Sequence, residues 1–222
     1  MLFFIACDDN NSLHQKYLDE GETIYLGSIT NVEANSGFNK VQFKWWNSSD
    51  PRIKKTTFYW DENDEAKSHT ATVSGVDQQD LTLNLPEGIY SFKLINEDNS
   101  SNRSLGYEAI VEIYGQQYKE SLRNLGISQM VVSNAQDSVT INWAGIESIT
   151  QQYTTVAYYR GANANPLIGP LRVENEELKT IITASGGFRA QTGDSIMITS
   201  TYKPENGIDM VDAIPRKISV LE

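Results

Sequence analysis

The sequence predicts an all-β protein made of two tandem β-sandwiches after a short N-terminal tether. Three observations carry this expectation: an aromatic strand pattern that recurs 98 positions later, dense turn signals between short apolar runs, and no long stretch of helical periodicity.

The chain opens with an apolar run, Leu2-Phe3-Phe4-Ile5-Ala6, that meets Cys7 and turns at once to Asp8-Asp9-Asn10-Asn11. A small residue before a cysteine at an abrupt apolar-to-acidic switch is the pattern of a lipoprotein cleavage site, so Cys7 is the expected lipid anchor. Only six residues precede it and none is basic. Met1 is therefore expected to lie inside a longer signal peptide. No other stretch has the length to cross a bilayer as a helix, so membrane attachment would come from acyl chains, with everything after Cys7 outside. Residues 1–23 are assigned to signal remnant, anchor and tether, with helix expected over Ser12–Glu20.

Ile29 opens the first strand of the first half. In Lys40–Trp46, Val41, Phe43 and Trp45 alternate with polar residues, as a strand with one buried face requires. Val139, Ile141 and Trp143 do the same 98 positions later. The same offset carries Phe58 onto Val156 and Trp60 onto Tyr158, in the runs Lys55–Trp60 and Tyr153–Tyr159, and Ile29 onto Ile127. Trp45, Trp143, Phe58 and Trp60 are expected in the cores, and Tyr59 and Tyr159 as ordinary strand aromatics. Asp61–Thr72 reads as a turn-rich segment. Further strands are expected at Leu81–Leu85, Tyr90–Asn96 and Tyr107–Ile113, then at Lys179–Thr183, Ser195–Tyr202 and Arg216–Val220. Pro86-Glu87-Gly88, Gly186-Gly187, Thr192-Gly193-Asp194 and Glu205-Asn206-Gly207 supply the turn chemistry. A helix over Gln116–Arg123 would join the halves. The domains are thus 24–115 and, with a short linker, 116–222, each near the usual domain size of about 100 residues.

Composition agrees with folded domains and narrows the partners. Seven Phe, eleven Tyr and four Trp supply core material. Eighteen basic against 29 acidic residues give a net charge of −11, spread along the chain, which repels polyanions and argues against nucleic acid. A single cysteine forbids an intrachain disulfide and any multi-cysteine zinc site.

Catalytic chemistry finds little footing. The only histidines are His14, in the tether, and His69, in the turn-rich segment. Neither stands beside a nucleophile in any familiar arrangement. Asp61-Glu62, Asp64-Glu65 and Glu97-Asp98 read as solvated loop charge rather than a tuned acid–base pair. Oxygen ligands at Glu97, Asp98 and Asn99 lack the regular spacing of a calcium loop. No catalytic residue, metal or cofactor is assigned. Binding has a better candidate. Trp46 falls outside the core-facing alternation and so points to the other sheet face or into the next loop. The loops Asn47–Lys54 and Asn96–Ser104 share one end of such a sandwich. They offer Trp46, Arg52, Asp98, Asn99, Asn102 and Arg103 as a stacking platform with hydrogen-bonding neighbours, a set that suits a sugar ring. The competing reading is that Trp46 covers the sandwich edge.

The first half resembles a fibronectin type III domain. Val41–Trp45 resembles its second strand, Ser49-Asp50-Pro51-Arg52-Ile53 the loop that follows, Thr56–Trp60 its third strand, and Leu85-Pro86-Glu87-Gly88-Ile89-Tyr90 its tyrosine corner. The second half keeps the Trp143 and Tyr153–Tyr159 strands, but Ser195 or Ile196 stands where the corner tyrosine is expected. Cys7–Glu22, Tyr25-Leu26-Gly27, Trp45-Trp46, Leu85–Gly88 and Asn102-Arg103-Ser104 are similar to an uncharacterised family of Bacteroidetes surface lipoproteins. That resemblance implies an outer-membrane, lipid-anchored, surface-exposed protein near glycan-import systems, with polysaccharide as the partner; Asp8-Asp9 would fit the export signal of that lineage. A spacer or adhesion module contacting another envelope protein is the alternative, and an enzyme ranks third.

Overall fold

In a computed structural model the described residues are 24–73, 75, 77–145, 148–183 and 188–221. Cys7, His14, the helix expected over Ser12–Glu20 and the Gly186-Gly187 turn lie outside them. No helix among the described residues is long and apolar enough to cross a membrane.

The first set of strands is β1 (Ile29–Gly37), β2 (Lys40–Asn47), β3 (Lys55–Glu62), β4 (Glu65–Thr72), β5 (Gln79–Asn84), β6 (Gly88–Glu97) and β7 (Tyr107–Ile113). Helix α1 (Gln116–Ser121) follows, two residues shorter than expected. The second set is β8 (Ile127–Val132), β9 (Val139–Trp143), β10 (Gln151–Tyr159), β11 (Ile168–Glu174), β12 (Lys179–Ile182), β13 (Ser195–Tyr202), β14 (Val211–Asp212) and β15 (Arg216–Ser219). The sheets run in the orders β1-β2-β5 and β4-β3-β6-β7, then β12-β9-β8 and β11-β10-β13-β14, with β15 also on β13. Both sets thus repeat one plan, a three-stranded sheet facing a larger one, and the protein is two fibronectin type III-like sandwiches. By contact the described residues gather into two compact units, one of 24–32, Trp45–Gln79 and Phe92–Ala109, the other of Glu33–Lys44, Asp80–Ser91 and 110–221.

The expected alternation is what builds the cores. In β2 Val41, Phe43 and Trp45 are buried while Gln42, Lys44 and Trp46 are partly exposed. Phe58 meets Trp45 edge-on at 5.1 Å, an arrangement favoured by the ring quadrupoles. In the second sandwich Val139, Ile141, Trp143, Val156, Tyr158, Ile196 and Ile198 form the centre. Both tryptophans satisfy their indole N–H on a buried threonine: Trp45 Nε1 donates to Thr56 Oγ1 at 3.2 Å, and Trp143 Nε1 to Thr180 Oγ1 at 2.9 Å.

Several expectations are corrected. Trp60 is half-buried rather than core, because β3 runs past its pairing with β6, whose register ends at Tyr59↔Lys93; the ring packs on Phe92 at 5.7 Å. Asp61–Thr72 is not a run of turns. It is the end of β3, a two-residue turn with Asn63 and Asp64 both at positive φ, and the whole of β4, including His69. Side chains on β4 are mostly exposed, so it shows no apolar alternation to read. Strand β11 was hidden in the same way by Gly169 and Pro170, which a sheet tolerates at an edge.

One buried polar relay occurs twice. Thr56 Oγ1 donates to Asn96 Oδ1 at 2.8 Å, and Asn96 Nδ2 donates to the carbonyl of Gly27 at 3.1 Å. In the second sandwich Thr154 Oγ1 and Ser200 Oγ lie 2.8 Å apart, and the Leu125 amide donates to Ser200 Oγ at 2.8 Å. Thr154 and Leu125 stand 98 positions after Thr56 and Gly27. In both sandwiches a threonine of the central strand thereby fixes the segment leading into the first strand.

The cross-strand pairs Thr56↔Asn96 and Thr154↔Ser200 also set which residue replaces the corner tyrosine. Tyr90 donates its hydroxyl to the Pro86 carbonyl at 3.0 Å, as the resemblance implied. Six residues before Ser200, as Tyr90 is before Asn96, stands Asp194, not Ser195 or Ile196. Its carboxylate is 1% exposed and accepts from Tyr158 Oη at 2.6 Å and from the amides of Gln191 and Gly161, with Arg160 Nε at 3.2 Å. A charged corner therefore does in the second sandwich what a phenol does in the first. Burial, and then the bond to Asp194, push the Tyr158 phenol far above its ordinary value.

Removing a hydroxyl and removing a buried anion should differ in cost. Tyr90→Phe is expected to lower stability by about 1 kcal/mol. Asp194→Ala, which strands the Tyr158 hydroxyl and two amides, should cost about 3 kcal/mol. Urea-unfolding midpoints followed by tryptophan fluorescence compare the two; equal costs would contradict the corner assignment.

Candidate functional site

The loop residues singled out from the sequence meet the leader into β1 at one pole of the first sandwich. The leader is held there by backbone and side-chain bonds. Leu26 N donates to the Arg103 carbonyl at 3.1 Å, Ser48 N to the Ser28 carbonyl at 3.1 Å, and Gly27 N to Asp50 Oδ2 at 2.9 Å. A Cβ on Gly27 would collide with Ser48 Oγ and crowd Asp50, so the close approach of leader and loop requires glycine.

Asp50 organises the β2–β3 loop. Its Oδ1 accepts from the Arg52 amide at 3.0 Å, forming an Asx turn, and from Arg52 Nε at 2.9 Å, while Oδ2 takes Arg52 Nη2 at 2.7 Å. The Arg52 guanidinium beside it, together with the Gly27 amide, holds the Asp50 carboxyl far below the usual carboxylate range. Arg52 Nη2 reaches on to the Tyr25 carbonyl at 3.3 Å. Next to Arg52 the loop borders a hollow of about 410 Å³ lined by Asp50, Pro51, Ile53, Lys54 and Val73.

Across the pole, Asp98 shapes the β6–β7 loop. It accepts from the Ser100 amide at 2.8 Å, the Asn102 amide at 2.9 Å and Asn102 Nδ2 at 2.7 Å, which, with Asn102 leading, keep its carboxyl below the ordinary value. Asn99 is exposed at the tip. Arg103 Nη2 pairs with Glu97 Oε1 at 3.0 Å, and Lys55 Nζ with Glu97 Oε2 at 2.9 Å. Glu97 was expected as solvated loop charge. It is instead the last residue of β6, only 6% exposed, because its side chain turns under the two cations and the Tyr59 hydroxyl. Burial pushes its carboxyl up, but Lys55, Arg103 and Tyr59 outweigh burial and keep it below the ordinary glutamate value.

Arg52, Asp98, Asn102 and Arg103 are thus brought to one pole, with the charges of Arg52 and Asp98 close enough to interact. Trp46 belongs to a different surface. It is half-buried on the outer face of the three-stranded sheet, where its carbonyl accepts from Thr30 Oγ1 at 3.1 Å. The aromatic that the pole itself offers is Tyr25, 58% exposed and bracketed by the arginine-bearing loops. Sequence reasoning missed it, although Gly27 and the Asp50-Pro51-Arg52 turn both signal a leader pressed against a loop. Among the described residues no cluster of three His, Cys, Asp or Glu has the geometry to hold a metal.

The family model for DUF4998, a domain of unknown function, matches residues 7–211, and the chain belongs to that family. No curated protein matches it. Among solved structures it is similar to the first to third fibronectin type III domains of chicken CNTN1, at 11% identity and TM-score 0.41 over 90% of this chain and 70% of that one. It is also similar to a two-domain fibronectin type III segment of chicken tenascin, at 12% identity and TM-score 0.35, over 87% of this chain and 99% of that one. At these values the likeness adds nothing to the strand order already described.

Because Glu97 is held below its unfolded value, its ion pairs stabilise the fold above about pH 4.3 and are lost as pH falls through the folded pKa. Urea midpoints measured from pH 7 to pH 3 are expected to fall less steeply for Glu97→Gln than for the parent chain. Parallel curves would contradict this.

Proposed function

We propose that this chain is a non-catalytic, lipid-anchored surface module that binds or presents polysaccharide as an accessory of an outer-membrane glycan-uptake system, with Cys7 as the acylated residue. The carrying observation is an exposed Tyr25 whose carbonyl accepts from Arg52 and whose neighbour Leu26 is bonded to the Arg103 carbonyl, the two arginine side chains being 49% and 58% exposed. A tyrosine face stacks on the C–H face of a sugar, and flanking guanidinium and amide donors orient its hydroxyls. Each guanidinium carries five donors, and the described bonds of Arg52 use only Nε and Nη2. The acids of the pole are bonded to its arginines and amides, which favours a preorganised binding surface over a proton-transfer site. Similarity to Bacteroidetes surface lipoproteins at Cys7–Glu22 and Tyr25-Leu26-Gly27 supports the anchor and the setting.

A contact with another envelope protein is the second reading. It is favoured by β4, an eight-residue strand at the edge of its sheet and open to strand addition.

Affinity electrophoresis through gels containing polysaccharides tests the first reading. Tyr25→Ala and Arg52→Ala should each weaken retention about tenfold, the equivalent of ~1.4 kcal/mol. Trp46→Ala, on the sheet face, should change it little. Retention lost with Trp46→Ala alone would move the surface to the sheet, and no retention in any polysaccharide would refute the reading.

A further inference from the structure

The internal repeat places a second pole in the second sandwich, and its chemistry differs from the first. Ser148 and Thr150 stand 98 positions after Asp50 and Arg52, and they make the same turn. The Thr150 amide donates to Ser148 Oγ at 3.3 Å, as the Arg52 amide does to Asp50 Oδ1 at 3.0 Å. The Gln151 amide donates to the Ser148 carbonyl at 3.2 Å, as the Ile53 amide does to the Asp50 carbonyl at 3.3 Å. The leader is equivalent too: Arg123 stands 98 positions after Tyr25, and Leu125 is fixed by Ser200 as Gly27 is by Asn96.

Where the first pole carries a carboxylate and an arginine, the second carries hydroxyls around a groove of about 310 Å³. Tyr118, Ser121, Arg123, Ser148, Thr150 and Tyr202 line it, and among the described residues no carboxylate stands in its wall. The hydroxyls form chains. Tyr118 bonds to Thr150, whose Oγ1 lies 2.8 Å from Ser148 Oγ. Tyr202 donates its hydroxyl to the Arg123 carbonyl at 2.5 Å, with Gln151 Oε1 3.2 Å from the same oxygen. The Tyr118 ring is braced by Tyr114, with centroids 4.7 Å apart. Partial burial, followed by neighbouring Tyr114, raises the Tyr118 phenol above its ordinary value, so it stays uncharged and able to donate at any physiological pH.

A groove of this size, walled by a braced aromatic face, by hydroxyls that both donate and accept and by the donors of Arg123, is complementary to a ring bearing neutral hydroxyls. Among the described residues of its wall an anion would meet one cation, Arg123, on a protein of net charge −11. We propose that this groove is a second carbohydrate subsite, selective for a neutral sugar unit. The inference rests on the polysaccharide reading, but it concerns different residues from those of the first pole.

Affinity electrophoresis of the folded chain in xylan, mannan or glycogen, against polygalacturonate, separates the two. Ser121→Trp, on an exposed groove wall, fills the site without touching the core, and should weaken retention in the neutral gel that holds the parent chain about tenfold. Tyr118→Ala should do the same, and Tyr118→Phe, which keeps the ring, should lose less than threefold; melting curves confirm that each variant is folded. Full retention of folded Ser121→Trp overturns the second subsite, and if Tyr25→Ala still weakens binding the first pole stands. Preference for polygalacturonate that Ser121→Trp abolishes overturns the neutral class. No retention of the parent chain in any gel overturns both.

Discussion

The structure depends on a buried threonine in the central strand of each sandwich. Thr56 and Thr154 are fully buried and must satisfy a hydroxyl away from water, and each does so on a polar side chain of the paired strand. That side chain, Asn96 or Ser200, spends its remaining capacity on the backbone of the entering leader. The leader's position is thus set by a closed hydrogen-bond account rather than by packing alone. Breaking it would leave buried polar groups on several elements at once, and the arrangement is present in both halves although their other residues differ.

With the leader fixed, the adjoining loop becomes the variable part. In the first sandwich it carries Asp50 and Arg52, and the pole fills with paired charges that also neutralise Glu97, while Asn102 and backbone amides hold Asp98. In the second it carries Ser148 and Thr150, and the pole is a hydroxyl-lined groove beside two tyrosines. The corner below shows the opposite exchange. A neutral phenol serves in the first sandwich and a buried carboxylate in the second. One backbone plan therefore holds two chemistries, and the difference lies in the side chains on the loops, where function usually resides.

The fold was legible in the sequence to the extent that burial alternates. Val41, Phe43, Trp45 and their counterparts Val139, Ile141 and Trp143 display the strand period openly, and the repeat follows from them. Strand β4 was invisible because an exposed edge strand buries little on either face, and β11 because its proline mimics a loop. At the site, Arg52, Asp98, Asn102 and Arg103 were found by reasoning about which loops share an end. Trp46 was drawn in because it falls outside the core-facing alternation, and of the two places that parity allowed it takes the sheet face rather than the loop. Tyr25 was missed although Gly27 and the Asp50-Pro51-Arg52 turn signal the leader's approach, and the burial of Glu97 could not be read, since it depends on which loop folds over which and no local period encodes that.

Native-state hydrogen exchange at the two relay amides tests the shared constraint most directly. If buried polar relays fix both leaders, the Asn96 side-chain amide that donates to the Gly27 carbonyl and the Leu125 backbone amide that donates to Ser200 should exchange only through global opening, as core amides such as those of Phe58 and Val156 do. Exchange of either amide at the rate of a frayed strand end would contradict the account.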